Sequence, residues 1–539
     1  TQEFDRDILK RFVNFMSNPD EQTAVAQFGK GDKYFGVATM LATMPGLPMI
    51  AHGQIESFTE KYGMEFRRSY WDEVPDRDFI ARHEREIFPL LRLRPLFSEV
   101  EHFYLFDYMR GDTTIDENVF AYSNGQGDQR TLVFYNNHWE RTAGRIHTSC
   151  AFARKTPEGK KHLETVSLAQ ALGVKASPDN YVIMHDIRSG LWYIHRSEDI
   201  AANGLSVPLE GYQSKVFLEI ANVFDTGGRY ARLYEIVDSK GIADLDDALL
   251  EADQPDLFRA LHNAISSLSS VEAVQDLSKT EAIQRASIFS EMFFSRLCAV
   301  AASDDTYAAS RSEAVQSAIS WLRTVLAALY RAGGRSASGG RGALQFGNPR
   351  PRLILLVYSF VEALAKSFSE DGLHEEIGRV IDEYRIAKKL KEFAVELSRA
   401  MPEDEEGHDA SMSTEVAIAW ALRKDGQLSR LEGTASEAFL KLRAHEILAW
   451  AFSDSLMRAA LGVNHYRGIE YFNKERFETL AWLLPACAWI DSIGPSGSGM
   501  GGKELASWKD LATLLVGQAA DAGYMTNAML EKAASAARA

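Results

Sequence analysis

The sequence reads FVNFMSNPD at residues 12–20 and PGLPMIAHGQ at residues 45–54. Each stretch is a short apolar run that ends in polar residues, and a segment with helical periodicity separates the two. Consecutive strand–helix units of a (β/α) barrel have this layout, with polar side chains after the C-terminal ends of the strands. The two stretches therefore predict the end of a parallel barrel, which the chain enters near its last strands.

Length, composition and charge limit the class of protein. The chain has 539 residues, of which 46% are hydrophobic and 25% charged, and its net charge is −16. This length predicts about three domains, and the negative charge disfavours a nucleic-acid partner. No apolar run is long enough to predict a membrane-spanning helix. Cys150, Cys298 and Cys487 match no metal spacing and no disulfide framework, which favours a cytoplasmic location.

The pattern of the sequence predicts a multidomain protein with three regions. Residues 1–97 alternate apolar runs with helical segments, as expected for a partial (β/α) barrel end. Residues 98–222 hold short β-branched and aromatic runs between turn sequences, which predict an antiparallel β-sandwich. Residues 223–539 carry apolar stripes at helical spacing almost throughout, and they predict a large all-α C-terminal domain.

The first two regions resemble the C-terminal part of proteins of the α-amylase superfamily, glycoside hydrolase family 13. Asn18-Pro19-Asp20 resembles the Asn-His-Asp signature after strand seven of that family's barrel, and residues 46–54 resemble its Gly-x-Pro signature on strand eight. Three further runs, at residues 119–123, 132–137 and 212–220, resemble strands of the family's C-terminal β-domain. Residues 461–474 resemble part of a helical extension found in some long bacterial members.

The resemblance implies a retaining hydrolase that acts on an α-glucan or oligosaccharide. Retaining glycosidases use two carboxyl groups about 5 Å apart, one as nucleophile and one as acid/base. A third carboxylate in this family holds sugar hydroxyls in the transition state, and Asp20 matches its position. The nucleophile and the acid/base belong to earlier strands, upstream of Thr1. The resemblance therefore implies a C-terminal fragment that is inactive alone and that needs the upstream barrel half as its partner.

Four polar residues form the candidate site at the predicted strand ends. Asp20 is the candidate catalytic residue, and the candidate substrate-binding residues are Asn18, His52 and Gln54. Each also has a structural interpretation. Asn-Pro-Asp is common turn chemistry, and a histidine at a strand end is about as often a hydrogen-bonded structural residue as a ligand.

Two departures from the family pattern keep other functions open. Pro19 stands where the family has a histidine that binds sugar hydroxyls. Ile55 separates Gln54 from Glu56, whereas the family places its glutamate directly after this glutamine. The alternatives are a catalytically silent amylase-like protein whose helical domain mediates protein interaction, and an α-glucan transferase, which shares the glycosyl-enzyme with the hydrolase.

The remaining motifs are weaker. Tyr70 and Trp71 could stack on a sugar, although the sequence favours ordinary packing. Residues 497–503 (GSGMGGK) lack the hydroxyl residue that follows the lysine of a phosphate loop, and they predict a linker. The acidic run at residues 403–409 could bind a cation. The family resemblance allows calcium, but the sequence identifies no metal site and no cofactor.

Overall fold

The fold is taken from a computed structural model of the chain. The structure describes residues 2–61, 68–111, 114–155, 161–237, 241–273, 279–301, 308–333, 349–368, 374–399, 410–423 and 435–538. It divides into two compact units, Thr1–Asp253 and Gln254–Ala539. The acidic run at 403–409 lies outside the described residues. None of the helices in the described ranges is both long enough and apolar enough to cross a membrane.

The first unit contains ten α-helices and fourteen strands among its described residues. The helices are α1 (Gln2–Asp5), α2 (Ala24–Phe28), α3 (Asp32–Thr43), α4 (Arg77–Glu86), α5 (Phe88–Arg92), α6 (Arg94–Phe97), α7 (Leu168–Leu172), α8 (Ser197–Asn203), α9 (Arg229–Val237) and α10 (Leu245–Asp253), with a 3-10 helix at Arg6–Arg11. The strands are β1 (Val13–Phe15), β2 (Leu47–Met49), β3 (Tyr104–Phe106), β4 (Met109–Arg110), β5 (Thr114–Ile115), β6 (Val119–Gln126), β7 (Gln129–Asn136), β8 (Arg145–Ile146), β9 (Phe152–Lys155), β10 (Lys161–Glu164), β11 (Asn180–Asp186), β12 (Leu191–Arg196), β13 (Leu205–Ser206) and β14 (Ser214–Phe224).

The predicted barrel end consists of β1 and β2, which form a two-stranded parallel sheet with α3 between them in the chain. Val13 pairs with Leu47 and Phe15 with Met49. Within the described residues no other strand pairs with these two, so no closed barrel forms. The sheet leaves large apolar side chains in contact with solvent, since Val13, Phe15 and Leu47 are 49%, 46% and 63% exposed.

The helices of the barrel end pack on the antiparallel sheet that follows them. Tyr34 and Phe35 of α3 share one core with Tyr122 of β6 and Val133 of β7. A large apolar side chain buried in this way contributes about 1.5–3 kcal/mol. The helix approaches the sheet so closely that a Cβ at Gly36 would lie 1.9 Å from the Tyr135 ring. Residues 1–97 therefore gain their core from the sheet and not from a barrel of their own.

The β region contains a six-stranded sheet in the order β12-β11-β14-β7-β6-β3, whose neighbours are all antiparallel. A four-stranded sheet has the order β13-β8-β4-β5, and β9 pairs with β10. Both larger sheets contribute to one buried cluster, which includes Phe134, Val182 and Phe217 from the first and Ile146 and Leu205 from the second.

The helices α9 and α10 belong to the first unit, although they lie in the region predicted to form the all-α domain. Leu233 and Leu249 of these helices pack with Tyr181, Ile183 and Ile194 of β11 and β12. This end of the sheet is apolar on the face that the helices cover. The division between the two compact units falls after Asp253, so α9 and α10 are counted with the first of them.

In the ranges of the second unit that the structure describes, the regular structure is helical apart from one hairpin, β15 (Asn464–Tyr466) with β16 (Ile469–Tyr471). Its described helices are α11 (Pro255–Ala273), α12 (Lys279–Ala301), α13 (Ala308–Gly333), α14 (Pro349–Ser367), α15 (His374–Glu383), α16 (Ile386–Arg399), α17 (Ala410–Arg423), α18 (Glu437–Ser453), α19 (Ser455–Ala460), α20 (Lys474–Asp491), α21 (Gly502–Asp521) and α22 (Thr526–Arg538). Residues 497–501 precede α21, whose N-cap is Gly501.

Candidate functional site

The candidate site lies where β1 and β2 end. Because the strands are parallel and Phe15 pairs with Met49, their C-terminal ends lie at the same edge of the sheet. The chain segments that follow are residues 16–23 and 50–61, and they contain all four predicted site residues. In a (β/α) barrel this edge carries the catalytic groups.

The first segment is a turn built by Asn18. Its Oδ1 accepts hydrogen bonds from the backbone N–H groups of Asp20, at 2.9 Å, and Glu21, at 2.8 Å. Such an Asx turn is the structural interpretation that the sequence offered for Asn-Pro-Asp. It leaves the Asp20 side chain exposed. The ammonium group of Lys61 donates to the Asp20 carbonyl at 2.8 Å, which ties the second segment to the first.

Gln54 is a buried link between the two strand ends. Its Oε1 accepts from the backbone N–H of Ala51 at 3.1 Å, just after β2. Its Nε2 lies 3.6 Å from the sulfur of Met16, just after β1. The carboxamide is thus engaged inside the protein, and Gln54 is only 5% exposed. Gln54 therefore connects the C-terminal ends of β1 and β2, and its side chain does not face solvent.

His52 lies on the surface two residues before Gln54. Its ring packs edge-on against Phe58, with the ring centroids 6.3 Å apart. Gly53 separates the exposed histidine from the buried glutamine. Its φ is +70°, and a Cβ there would lie 2.7 Å from Cβ of Phe58. This turn therefore requires glycine.

Two buried residues support Gln54 from beneath, and sequence reasoning gave them no role in the site. The hydroxyl of Tyr34, on α3, lies 3.1 Å from the Gln54 carbonyl oxygen and 3.1 Å from Nε2 of His83, on α4. Burial lowers the pKa of His83 and raises that of Tyr34. Both residues lie on apolar stripes of their helices, and the sequence contains no local signal that they meet.

The aromatic pair Tyr70 and Trp71 is exposed, at 67% and 57%, and not packed as the sequence favoured. The buried carboxylate of Glu60 accepts both of their backbone N–H groups, at 2.7 and 3.1 Å. The carboxylate of Glu73, in turn, accepts from the backbone N–H groups of Thr59 and Glu60, at 2.8 and 2.9 Å. These two carboxylates hold the segment after residue 68 against the segment before residue 61.

The described part of the chain contains no candidate metal site. No group of three or more histidine, cysteine, aspartate or glutamate side chains is arranged there to hold an ion. The carboxylates of Glu60 and Glu73 are occupied by backbone donors.

The comparison with known proteins gives no match by sequence family and a distant likeness among solved structures. No protein-family model and no curated protein matches the sequence. Among solved structures, the chain is similar to an α-amylase from Geobacillus thermoleovorans, solved as a complex with acarbose. The sequence identity is 14% and the TM-score is 0.26. The match covers 39% of this chain and 39% of the α-amylase chain, so this chain spans well under two thirds of that protein. A likeness of this size supports no statement about activity.

Proposed function

We propose that this chain is the C-terminal part of an α-glucan-acting, retaining glycoside hydrolase of the α-amylase type. The observation that carries the proposal is the parallel β1–β2 pair, whose C-terminal ends share one edge and are followed by Asp20 and His52. Asp20 stabilises the transition state in this proposal. Asn18 and His52 contact sugar hydroxyls, and Gln54 positions the strand ends that carry these residues.

The chemistry needs groups that tighten on the sugar as positive charge develops. The transition state is oxocarbenium-like, and hydrogen bonds to hydroxyls that strengthen there supply several kcal/mol. An exposed carboxylate on a turn fixed by Asn18 is suited to accept such hydrogen bonds. Oδ1 of Asn18 already accepts the two hydrogen bonds of the turn. The Nδ2 group of Asn18 is therefore the one proposed to donate to a sugar hydroxyl.

The proposal includes a partner, an upstream barrel half that supplies further strands, the nucleophile and the acid/base. The β1–β2 sheet supports this, because Phe12, Val13, Phe15 and Leu47 are 44–63% exposed on it. Leaving such apolar surface in water costs about 25 cal/mol per Å² relative to burial. Unpaired strand edges also invite another strand. Added parallel strands would cover both the apolar side chains and the edges.

The test is a reconstitution. The chain is produced alone and together with the barrel half taken from the reading frame that encodes it, and both are assayed for release of reducing ends from soluble starch. We expect turnover only from the pair. In the pair, Asp20→Asn lowers kcat/KM by about 100-fold or more, since several kcal/mol of transition-state stabilisation are lost. Asp128→Asn, at an exposed turn between β6 and β7, is the matched control and leaves turnover unchanged. Turnover by the chain alone, or an unaffected Asp20→Asn pair, refutes the proposal.

One observation favours the alternative of a silent amylase-like protein. Position 19 is an exposed proline, which offers no side-chain donor where the family has a histidine. A pair that contains both upstream carboxylates and still neither hydrolyses starch nor transfers glucosyl units to added maltose supports that alternative. Products lengthened on maltose, without net hydrolysis, would identify the transferase instead.

A further inference from the structure

Trp139 lies on the turn between β7 and β8, and 67% of its surface is exposed. The ring of His138 lies beside the indole, with the centroids 5.6 Å apart and the planes inclined by 33°. Single exposed apolar residues are ordinary on protein surfaces, so exposure alone indicates no function. The backbone beneath this tryptophan, however, is held by several hydrogen bonds from a buried side chain.

The buried side chain of Asn136 makes three hydrogen bonds that fix the turn. Its Nδ2 donates to the carbonyls of Glu140, at 2.8 Å, and Glu210, at 3.0 Å. Its Oδ1 accepts from the backbone N–H of His138 at 3.1 Å. One amide that is 1% exposed thus joins both sides of Trp139 to the segment before β14.

The other side of the turn is fixed by Gly211. A Cβ at Gly211 would lie 2.1 Å from the carbonyl oxygen of Trp139, so the two backbones meet at a distance that only glycine allows. The next residue, Tyr212, donates its backbone N–H to the His138 carbonyl at 2.9 Å. The backbone that carries the indole is therefore held from two directions, while the indole itself faces solvent.

We infer that Trp139 is a stacking platform for a glucopyranose unit of an α-glucan, at a non-catalytic binding site. The apolar face of a pyranose packs on a flat aromatic ring, and its hydroxyls reach outward to polar partners. Charged residues lie on the same turn and on the segment before β14 that Asn136 joins to it. Arg141 and Glu210 form an exposed ion pair at 3.3 Å, and Glu140 lies 4.0 Å from His138 Nδ1. The carboxylates and the guanidinium of these residues can accept from and donate to hydroxyls.

The fixed backbone gives this site its physical advantage. A ligand that stacks on a ring held in place orders fewer protein groups on binding, so less conformational entropy opposes association. The choice of an α-glucan, among sugars, rests on the proposed function. The hydrogen bonds that fix the turn after β7 join it to the segment before β14 and involve none of residues 16–23 or 50–61, so loss of one site need not affect the other.

The experiment measures binding of maltoheptaose and β-cyclodextrin to the full chain by calorimetry. Trp139→Ala is expected to weaken binding by about tenfold or more, equivalent to about 1.4 kcal/mol. Trp139→Phe keeps an aromatic ring and should retain most of the affinity. If substitution at this position acted through misfolding, Trp139→Phe would lose affinity as well. Gly211→Ala keeps the indole but displaces its backbone, and it also weakens binding. Phe224→Ala, which removes another aromatic side chain that is 61% exposed, is the matched control and leaves binding unchanged.

The outcomes separate this inference from the proposed function. Unchanged maltoheptaose binding in Trp139→Ala overturns the platform and leaves the proposed function standing. Trp139-dependent binding of maltoheptaose, combined with failure of the reconstituted pair to act on starch, supports the platform and counts against the proposed activity. Trp139-dependent binding of choline without binding of maltoheptaose would identify a cation–π site and overturn the sugar assignment.

Discussion

The phenol oxygen of Tyr34 lies 3.1 Å from Nε2 of His83, and both side chains are buried. Nδ1 of His83 lies 3.0 Å from the carbonyl oxygen of Phe79, which can only accept, so Nδ1 carries a proton. Burial lowers the pKa of His83 and favours the neutral ring, so the single hydroxyl hydrogen of Tyr34 faces two acceptors, Nε2 of His83 and the backbone carbonyl oxygen of Gln54, each 3.1 Å away. A polar link thus joins α3 to α4 directly beneath Gln54.

Removing the Tyr34 hydroxyl should weaken this link. Tyr34→Phe leaves Nε2 of His83 buried without a donor, and we expect the free energy of unfolding of the first unit to fall by about 1–3 kcal/mol. Urea unfolding followed by circular dichroism measures the change. Tyr466→Phe, at a tyrosine that is 60% exposed, should change stability by less than about 0.5 kcal/mol. Equal effects of the two substitutions would contradict a specific role for the link.

The same histidine predicts a pH dependence. Its pKa in the folded chain is lowered by burial, although the charges of Glu56 and Glu86 act in the opposite direction. An unfolded histidine binds a proton near pH 6.5, so between that pH and the lower folded pKa the unfolded state holds more protons. The contribution of neutral His83 to the free energy of unfolding is therefore fully present above about pH 6.5, and it is lost as the pH falls below that value.

This pH dependence can be isolated with a variant that does not titrate. His83→Gln should be less stable than the parent at pH 7.5, and it should lose less stability than the parent between pH 7.5 and pH 5. Thermal unfolding of both proteins at a series of pH values measures the difference. Parallel profiles would show that His83 does not contribute.

An ion pair between Arg188 and Glu86 joins α4 to the turn between β11 and β12. Their nearest atoms are 2.7 Å apart, and their side chains are only 13% and 17% exposed. Arg188→Met should cost about 2–3 kcal/mol, because it removes the cation at Oε2 of the largely buried Glu86 carboxylate, whereas Oε1 still pairs with Arg82 and Arg85. Arg85→Met is a matched control, since Arg85 bonds the same carboxylate at 3.1 Å but is 67% exposed. That substitution should cost at most about 1 kcal/mol.

The exposed aromatic pair offers a local test of order. Glu60→Gln replaces a carboxylate that accepts from Tyr70 and Trp71 by an amide with one acceptor oxygen. Amide hydrogen exchange of Tyr70 and Trp71 should accelerate by about tenfold, which corresponds to about 1.4 kcal/mol of local stability. Glu84→Gln, at an exposed position on α4, should leave both rates unchanged. Unaltered exchange in Glu60→Gln would show that the carboxylate does not hold this segment.

Much of the local structure could be predicted from the sequence. Apolar runs predicted strands where β1 and β2 lie, and the helical spacing after Lys33 predicted α3. Asn473, which precedes an apolar stripe, is the N-cap of α20, since its side chain accepts from the backbone N–H of Arg476. These features depend on residues a few positions apart, so a local pattern is enough to specify them.

The unit boundary shows why larger features could not be predicted. The helices α9 and α10 have the same periodicity as the helices that follow them. What assigns them to the first unit is the apolar face of β11 and β12, where Leu233 and Leu249 are buried with Ile183. A helical stripe indicates that one face is buried, but it does not indicate which surface covers that face.

The sequence by itself determined the strand ends, the turn at Asn18 and the polar residues after each strand, because hydrophobic periodicity and turn chemistry are local. Only the tertiary structure decided that Gln54 faces inward, that Tyr34 meets His83 across 49 residues, and that Asn136 holds the Trp139 turn by reaching Glu210 across 74. Each of these contacts joins groups that are adjacent only after the helices have packed on the sheet. Their energies depend on burial, and burial is a property of the assembled core.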